Sequence, residues 1–283
     1  MRSSFLILAL LFASFISFAQ VPADTSWKKG GFFGINFTQA NLSRWAQGGE
    51  NSLSFAGNFN VFANYAKDKT EWANSLDLSY ALLKSGSESV KKSDDRIELN
   101  SKYGHKISEH WLYSFLVNFK SQFAPGYNYP DDSTAISNFL SPGYITVAAG
   151  FTYKPVDYFE VFISPATGKF TIVNDKLLSA FGAYGVDPGK TVRSEFGAYL
   201  NMKFKKDIME NVTLSTKLEL FNNYTDKDKD NAKKIDVNWD AALLMKINSY
   251  LTASINTQLI YDANIIEKTQ FKEMLGIGLG LMF

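Results

Sequence analysis

Cysteine is absent from the 283 residues. That removes disulfides, thiolate metal sites, cysteine nucleophiles and a lipid-modified cysteine anchor together. Histidine occurs only as His105 and His110, which flank one short turn and leave little room for histidine-based catalysis. Charge of one sign is missing too. The 29 lysines and arginines against 28 acids give a net charge of +1, so nucleic acid is not an expected partner. Beyond the N-terminus no segment reaches around 18 consecutive apolar residues, which excludes spanning helices. The mean hydropathy of -0.13 agrees. Neither observation touches a strand-built barrel, which shows lipid only every second side chain.

What is present is apolar content of 46%, with 24 Phe and 14 Tyr, enough for one large β domain. Residues 1–19 read as a cleaved export signal: Arg2, the apolar run Phe5 to Ile16, and Ser17-Phe-Ala19 as a small-x-small site. Residues 20–30 are expected to be a short polar lead, and residues 31–283 the folded body.

The end of the chain is the clearest stretch. Leu275, Ile277, Leu279, Leu281 and Phe283 alternate with Gly276, Gly278 and Gly280, a period of two that places the glycines on the opposite face of a strand. The same alternation recurs upstream. Leu53, Phe55, Phe59 and Val61 alternate with Ser52, Ser54, Asn58 and Asn60, and Trp111, Tyr113, Phe115 and Val117 oppose Ser114, Asn118 and Lys120. About twelve such strands can be counted, the first from Gly31 to Asn41.

Connections after even-numbered strands are tight and those after odd-numbered strands long, including Ser85–Asp94, Ala124–Tyr144, Ser164–Lys190, Asn222–Lys234 and Asp262–Gln270. Strands of roughly ten to fourteen residues, an even count, alternating connections and two aromatic belts predict an all-β fold. The expected architecture is a transmembrane antiparallel up-and-down barrel with short periplasmic turns and long extracellular loops. The competing reading, a soluble sandwich or lipocalin-like barrel, uses shorter strands. Within Ser164–Lys190 the piece Lys169 to Phe181 reads as a short helix or an inward-folded loop.

With the apolar face outward, Asp77, Glu98, Lys102, Lys120, Glu160, Arg193, Glu195, Lys217, Glu219, Asp236, Asp240 and Lys246 point to the lumen. Charges withdrawn from water must pair, which predicts an interior filled by ion pairs. The same residues could instead line a polar conduction path. Gly276, Gly278 and Gly280 predict a strip of lumen wall without side chains and, if a passage exists, its position.

The histidines fall at the short-turn rim. That is the wrong place for a Ser-His pair on the outer face and for an acid-histidine site at the outer rim, so no catalytic residue is assigned. Asp226 to Asn231 looks like a calcium loop but has Asn231 where the glycine belongs and Val237 in place of the last glutamate. No metal or cofactor is expected, and the glycines of the last strand are followed by no helix that would make a nucleotide site. In the first long loop Arg44, Trp45, Gly48 and Gly49 are either a binding or plugging element or a glycine turn with an interfacial tryptophan.

That loop, together with Ser164-Pro165, the stretch Gly182 to Gly189 and the terminal strand, resembles a family of uncharacterised outer-membrane β-barrels from Bacteroidota, a domain of unknown function. The resemblance implies barrel and location and carries no site residues. A terminal strand ending in Phe283 resembles the closing strand that Gram-negative barrel-assembly machinery recognises. Expected partners are therefore that machinery, outer-membrane lipid and other envelope proteins. The expected role is a narrow channel or uptake component for small solutes, with a non-conducting scaffold subunit as the alternative and a lipid-modifying enzyme as a distant third.

Overall fold

A computed structural model describes residues 26–42, 50–226, 230 and 233–283. The residues read as the export signal, and Arg44, Trp45, Gly48 and Gly49, lie outside them, as does part of the calcium-like loop. Twelve strands form the wall: β1 (Trp27–Ala40), β2 (Ser52–Lys67), β3 (Thr70–Ser85), β4 (Lys91–Lys106), β5 (Trp111–Ser121) and β6 (Gly143–Val156). They continue as β7 (Phe159–Ile172), β8 (Val192–Met209), β9 (Val212–Asn223), β10 (Asp236–Lys246), β11 (Leu251–Asp262) and β12 (Ile266–Met282). Each pairs antiparallel with its sequence neighbour, and β12 returns to β1, so the sheet is a closed barrel.

Alternation decides which face points where. Phe33, Phe37, Phe55, Leu99, Tyr113, Phe115, Leu275 and Ile277 are exposed on the outside. Their neighbours along each strand face in, and part of the interior is apolar. Leu116, Ala148, Phe162, Tyr199 and Phe221 pack together inside the β5–β9 side. That cluster lies among the inward polar residues of the same strands.

All five connections at one end are tight, spanning 68–69, 107–110, 157–158, 210–211 and 247–250. Asp68 and Asn211 adopt the positive φ that such turns demand. At the opposite end the connections 41–51, 122–142, 173–191 and 224–235 are long, but 86–90 and 263–265 are short. Two expected long loops are therefore shortened by strand: Lys91 to Asp94 begin β4 and Ile266 to Gln270 begin β12. Likewise β1 starts at Trp27 rather than Gly31, and β8 runs past Lys206-Asp207 to Met209.

The largest departure is β7, which continues to Ile172 instead of stopping near Ile163. Pairing to both neighbours slips by one residue between Ile163 and Thr167, so Pro165 sits in a bulge, where its missing N–H costs no ladder bond. Beyond the bulge the alternation resumes in the opposite phase, with Thr167 and Thr171 fully buried and Phe170 exposed. Lys169 is thus an inward strand residue, and the helical piece is confined to α1 (Lys176–Ala180).

Candidate functional site: a bridged lumen

Three groups of charge occupy the interior. The central group surrounds Glu98, which is 1% exposed. Its carboxylate is bonded by Arg96, by Lys217 at 2.7 Å and by Asn118 at 3.0 Å, with Lys120 at 3.9 Å. Arg96 also reaches Asp240 at 3.3 Å, and Lys120 bonds Glu219. Tyr199 donates its hydroxyl to Glu219 at 2.7 Å. Some of these contacts join neighbouring strands, but Lys217–Glu98, Lys120–Glu219 and Arg96–Asp240 do not. Arg96 on β4 and Asp240 on β10 lie on opposite sides of the barrel, so their side chains span the lumen.

Toward the long-loop end Lys169 sits between Asp236 at 2.7 Å and Asp262 at 3.3 Å, and Arg193 lies 2.9 Å from Glu195. Toward the short-turn end Lys102 pairs with Glu160 at 2.8 Å. Burying an unpaired ion is far costlier than burying a paired one, and here nearly every inward charge has a counter-ion.

Of the residues expected in the lumen, Glu98, Lys102, Lys120, Glu160, Arg193, Glu195, Lys217, Glu219, Asp236 and Asp240 belong to these groups. Asp77 lines the same interior and accepts from Asn60 and Ser75. Lys246 does not belong: it is exposed at the last position of β10, beside a short turn. Arg96, Lys169, Asp262 and the pair Asp94–Lys272, 2.7 Å apart, were assigned to loops or passed over. Extending the alternation of β11 and β12 would have found Asp262 and Lys272.

Two cavities remain, of about 490 Å³ and about 300 Å³. The larger lies along β1–β4 and β10–β12, and the smaller opens toward the long-loop end beside Lys169 and Asp262. Arg96, Gln258 and Lys272 line both and form the partition.

The connections 122–142 and 173–191 pack together at this end. Val173, Leu178 and Val186 form their own buried cluster. Tyr184 donates to the carbonyl of Ile136 at 2.7 Å, tying this loop to a two-stranded ribbon of Gly126–Tyr127 with Ala135–Ser137. Burial lifts the Tyr184 hydroxyl to about 12, so it remains a donor. Asp175 caps α1 by accepting from the amides of Leu177 and Leu178, bonds that hold its carboxyl below the usual range, the Leu178 amide contributing most.

The glycine strip is covered rather than bare. A side chain at Gly276 or Gly278 would meet the carboxamide of Asn36, and one at Gly280 would meet the ring of Phe32. Only Gly276 lines the larger cavity. His105 and His110 sit at the short-turn end, and no hydrogen bond joins either imidazole to a described residue; His110 packs edge-on against Tyr153. Among the described residues no group of His, Asp or Glu is placed to hold a metal ion.

A family described as a protein of unknown function (DUF3078) matches residues 37–127, from β1 into the loop after β5. No curated protein matches the chain. Among solved structures, the COG4313 outer membrane channel from Pseudomonas putida F1 is 13% identical, with 94% of this chain and 100% of that one covered and a TM-score of 0.43. The NanC porin is 8% identical, covering 88% and 98% at 0.42. Outer membrane phospholipase A from Escherichia coli is 10% identical, covering 94% and 96% at 0.38.

Proposed function

We propose that this barrel resides in the outer membrane of a Gram-negative bacterium and acts as a narrow channel or uptake component for small polar solutes. The outward face is apolar around the whole wall, whereas the inward face carries two polar chambers in series. The observation that carries the reading is their common partition. Arg96, Gln258 and Lys272 are long side chains that border both chambers, so rotamer changes at these positions would widen the connection between them. On this reading the short turns are periplasmic, the capped loops extracellular, and Phe283 engages the assembly machinery. The resemblance noted from sequence supports a Bacteroidota origin.

Cross-lumen bridging favours a second reading, a non-conducting scaffold subunit that binds other envelope proteins, because the same ion pairs brace the wall. The chemistry offers no arrangement for hydrolysis around either histidine, and the protein is read as a non-enzyme. Current through purified protein in planar bilayers separates channel from scaffold: discrete openings support the first, and a silent bilayer with correctly folded protein supports the second.

A further inference from the structure

The barrel closes incompletely. Pairing of β1 with β12 runs from Phe32–Met282 to Asn36–Gly278, extended by mutual backbone bonds between Gly31 and Phe283 at 2.8 and 3.1 Å. There it stops, although β1 continues to Ala40 and β12 reaches back to Ile266, still paired with β11. Phe37–Ala40 and residues 274–277 would be in register and are not paired. Every other seam is laddered along most of its length.

Three further observations coincide at this slit. Both of its lips, Thr38 on β1 and Met274 to Gly276 on β12, line the larger chamber. The outer flanks are apolar, with Phe37, Leu275 and Ile277 at 55%, 71% and 57% exposure. Behind the lips Asn36 and Asn58 face the chamber, and neither carboxamide is hydrogen-bonded to a described residue, whereas the chamber's charges are mostly paired. Unpaired strand backbone at membrane depth is tolerated only where it lines a water-filled cavity or meets a polar ligand.

We infer that the slit between β1 and β12 is a lateral portal through which a single-chain amphiphile with an uncharged, hydroxylated headgroup enters the larger chamber. Its head is held by the free carboxamides of Asn36 and Asn58, and its chain trails between Phe37 and Leu275 into the surrounding lipid. Headgroup neutrality follows from the charges beside the slit: Lys272 on β12 is already bonded to Asp94, and Lys205, which also lines the chamber, lies toward its short-turn end. An extended peptide added to the bare edge would pair with backbone and leave those carboxamides unused.

This inference rests on the membrane reading above. The test uses the full chain in lipid vesicles. The natural sequence has no cysteine, so the double variant Ala40→Cys/Met274→Cys, at positions that would be in register across the slit, carries a unique thiol pair there, which a disulfide or a short bis-maleimide locks. The probe is an alkyl glucoside bearing a photoreactive diazirine beside its head, with adducts mapped by mass spectrometry. With the slit free, adducts are expected on the peptides holding Asn36 and Asn58. Locking should abolish them, and reducing the disulfide should restore them. A probe with the same chain and a carboxylate head should label about tenfold less, since a carboxylate held at the slit must be desolvated beside Lys272, which Asp94 already neutralises.

Lumenal labelling that survives locking would overturn the portal, as would adducts confined to outward residues in both forms. Equal labelling by the carboxylate probe would overturn the headgroup assignment, and loss of the adducts in Asn36→Leu/Asn58→Leu would support it. Heat-dependent gel migration and protease protection report insertion separately, so failure to insert counts against the membrane reading instead.

Discussion

The ammonium of Lys217 on β9 lies 2.7 Å from the carboxylate of Glu98 on β4, although five steps around the barrel separate the two strands. A hydrogen-bonded ion pair at that separation can only be made through the lumen. It therefore acts as a strut between opposite walls as well as an obstruction between them.

Glu98 and Lys217 should not be equivalent on removal. Glu98→Ala leaves Arg96 with Asp240 as its remaining acid and Lys217 and Lys120 facing one fewer acid, close to the situation in which a buried pair loses about 3–5 kcal/mol. Lys217→Ala leaves Glu98 still bonded by Arg96 and Asn118 and should cost about 1–3 kcal/mol. Urea unfolding in lipid vesicles, followed by tryptophan fluorescence, checks the order; a larger loss for Lys217→Ala would contradict it.

Gly278→Ala should weaken the closing seam. A Cβ there would lie 2.0 Å from the Ile35 carbonyl oxygen, a backbone atom with no rotamer to escape into. Displacing β1 at one of so few closing pairs is expected to cost about 1–3 kcal/mol, as overpacking does. The folded, fast-migrating band on unheated gels should disappear at lower temperature than in the natural protein. Gly57→Ala, which meets nothing within 4 Å, serves as the matched control.

The loop cap should loosen in acid while the wall does not. Because the Asp175 carboxyl is held below its ordinary value in the folded state, its contribution is complete above the unfolded value of about 3.9 and is lost as pH falls through the folded value. Hydrogen exchange at Leu177 and Leu178 should accelerate over that range and leave β5 amides unaffected. Asp175→Ala should remove the pH response and about 1 kcal/mol of local protection.

Tyr184→Phe should free the cap without touching the barrel. It deletes one donor to the Ile136 carbonyl, worth about 0.5–1.5 kcal/mol. Exchange should rise in the ribbon at Ala135–Ser137 and around α1 together, since this bond joins the two loops. A rise in only one of them would show that the loops move independently.

Much of the fold was legible because the outward face repeats every second residue, and the short turns punctuate it at regular intervals. The central charges could be assigned to the lumen for the same reason: Glu98, Lys120, Lys217 and Glu219 alternate with Leu99, Phe119, Leu218 and Leu220. Arg96 and Lys169 were not legible. Arg96 comes just after the polar stretch Ser85–Asp94, which reads as loop although Lys91 to Asp94 already belong to β4. Lys169 follows a proline bulge that reverses the phase, so an unbroken period of two cannot cross it. The partial seam was also beyond the sequence, because Phe37–Ala40 and Met274–Ile277 keep strand alternation whether or not they pair.

If the two polar chambers form a conduction path closed by side chains, as proposed, thinning the side chains between them must raise the current. The measurement that addresses it most directly is single-channel current in planar bilayers, comparing the natural protein with Arg96→Ser/Lys272→Ser. These two residues line both chambers, and replacing them removes the bulk of the partition while Gln258 remains. The account predicts small, infrequent openings for the natural protein and steps severalfold larger for the variant. Folded variant protein that inserts and stays silent would contradict it.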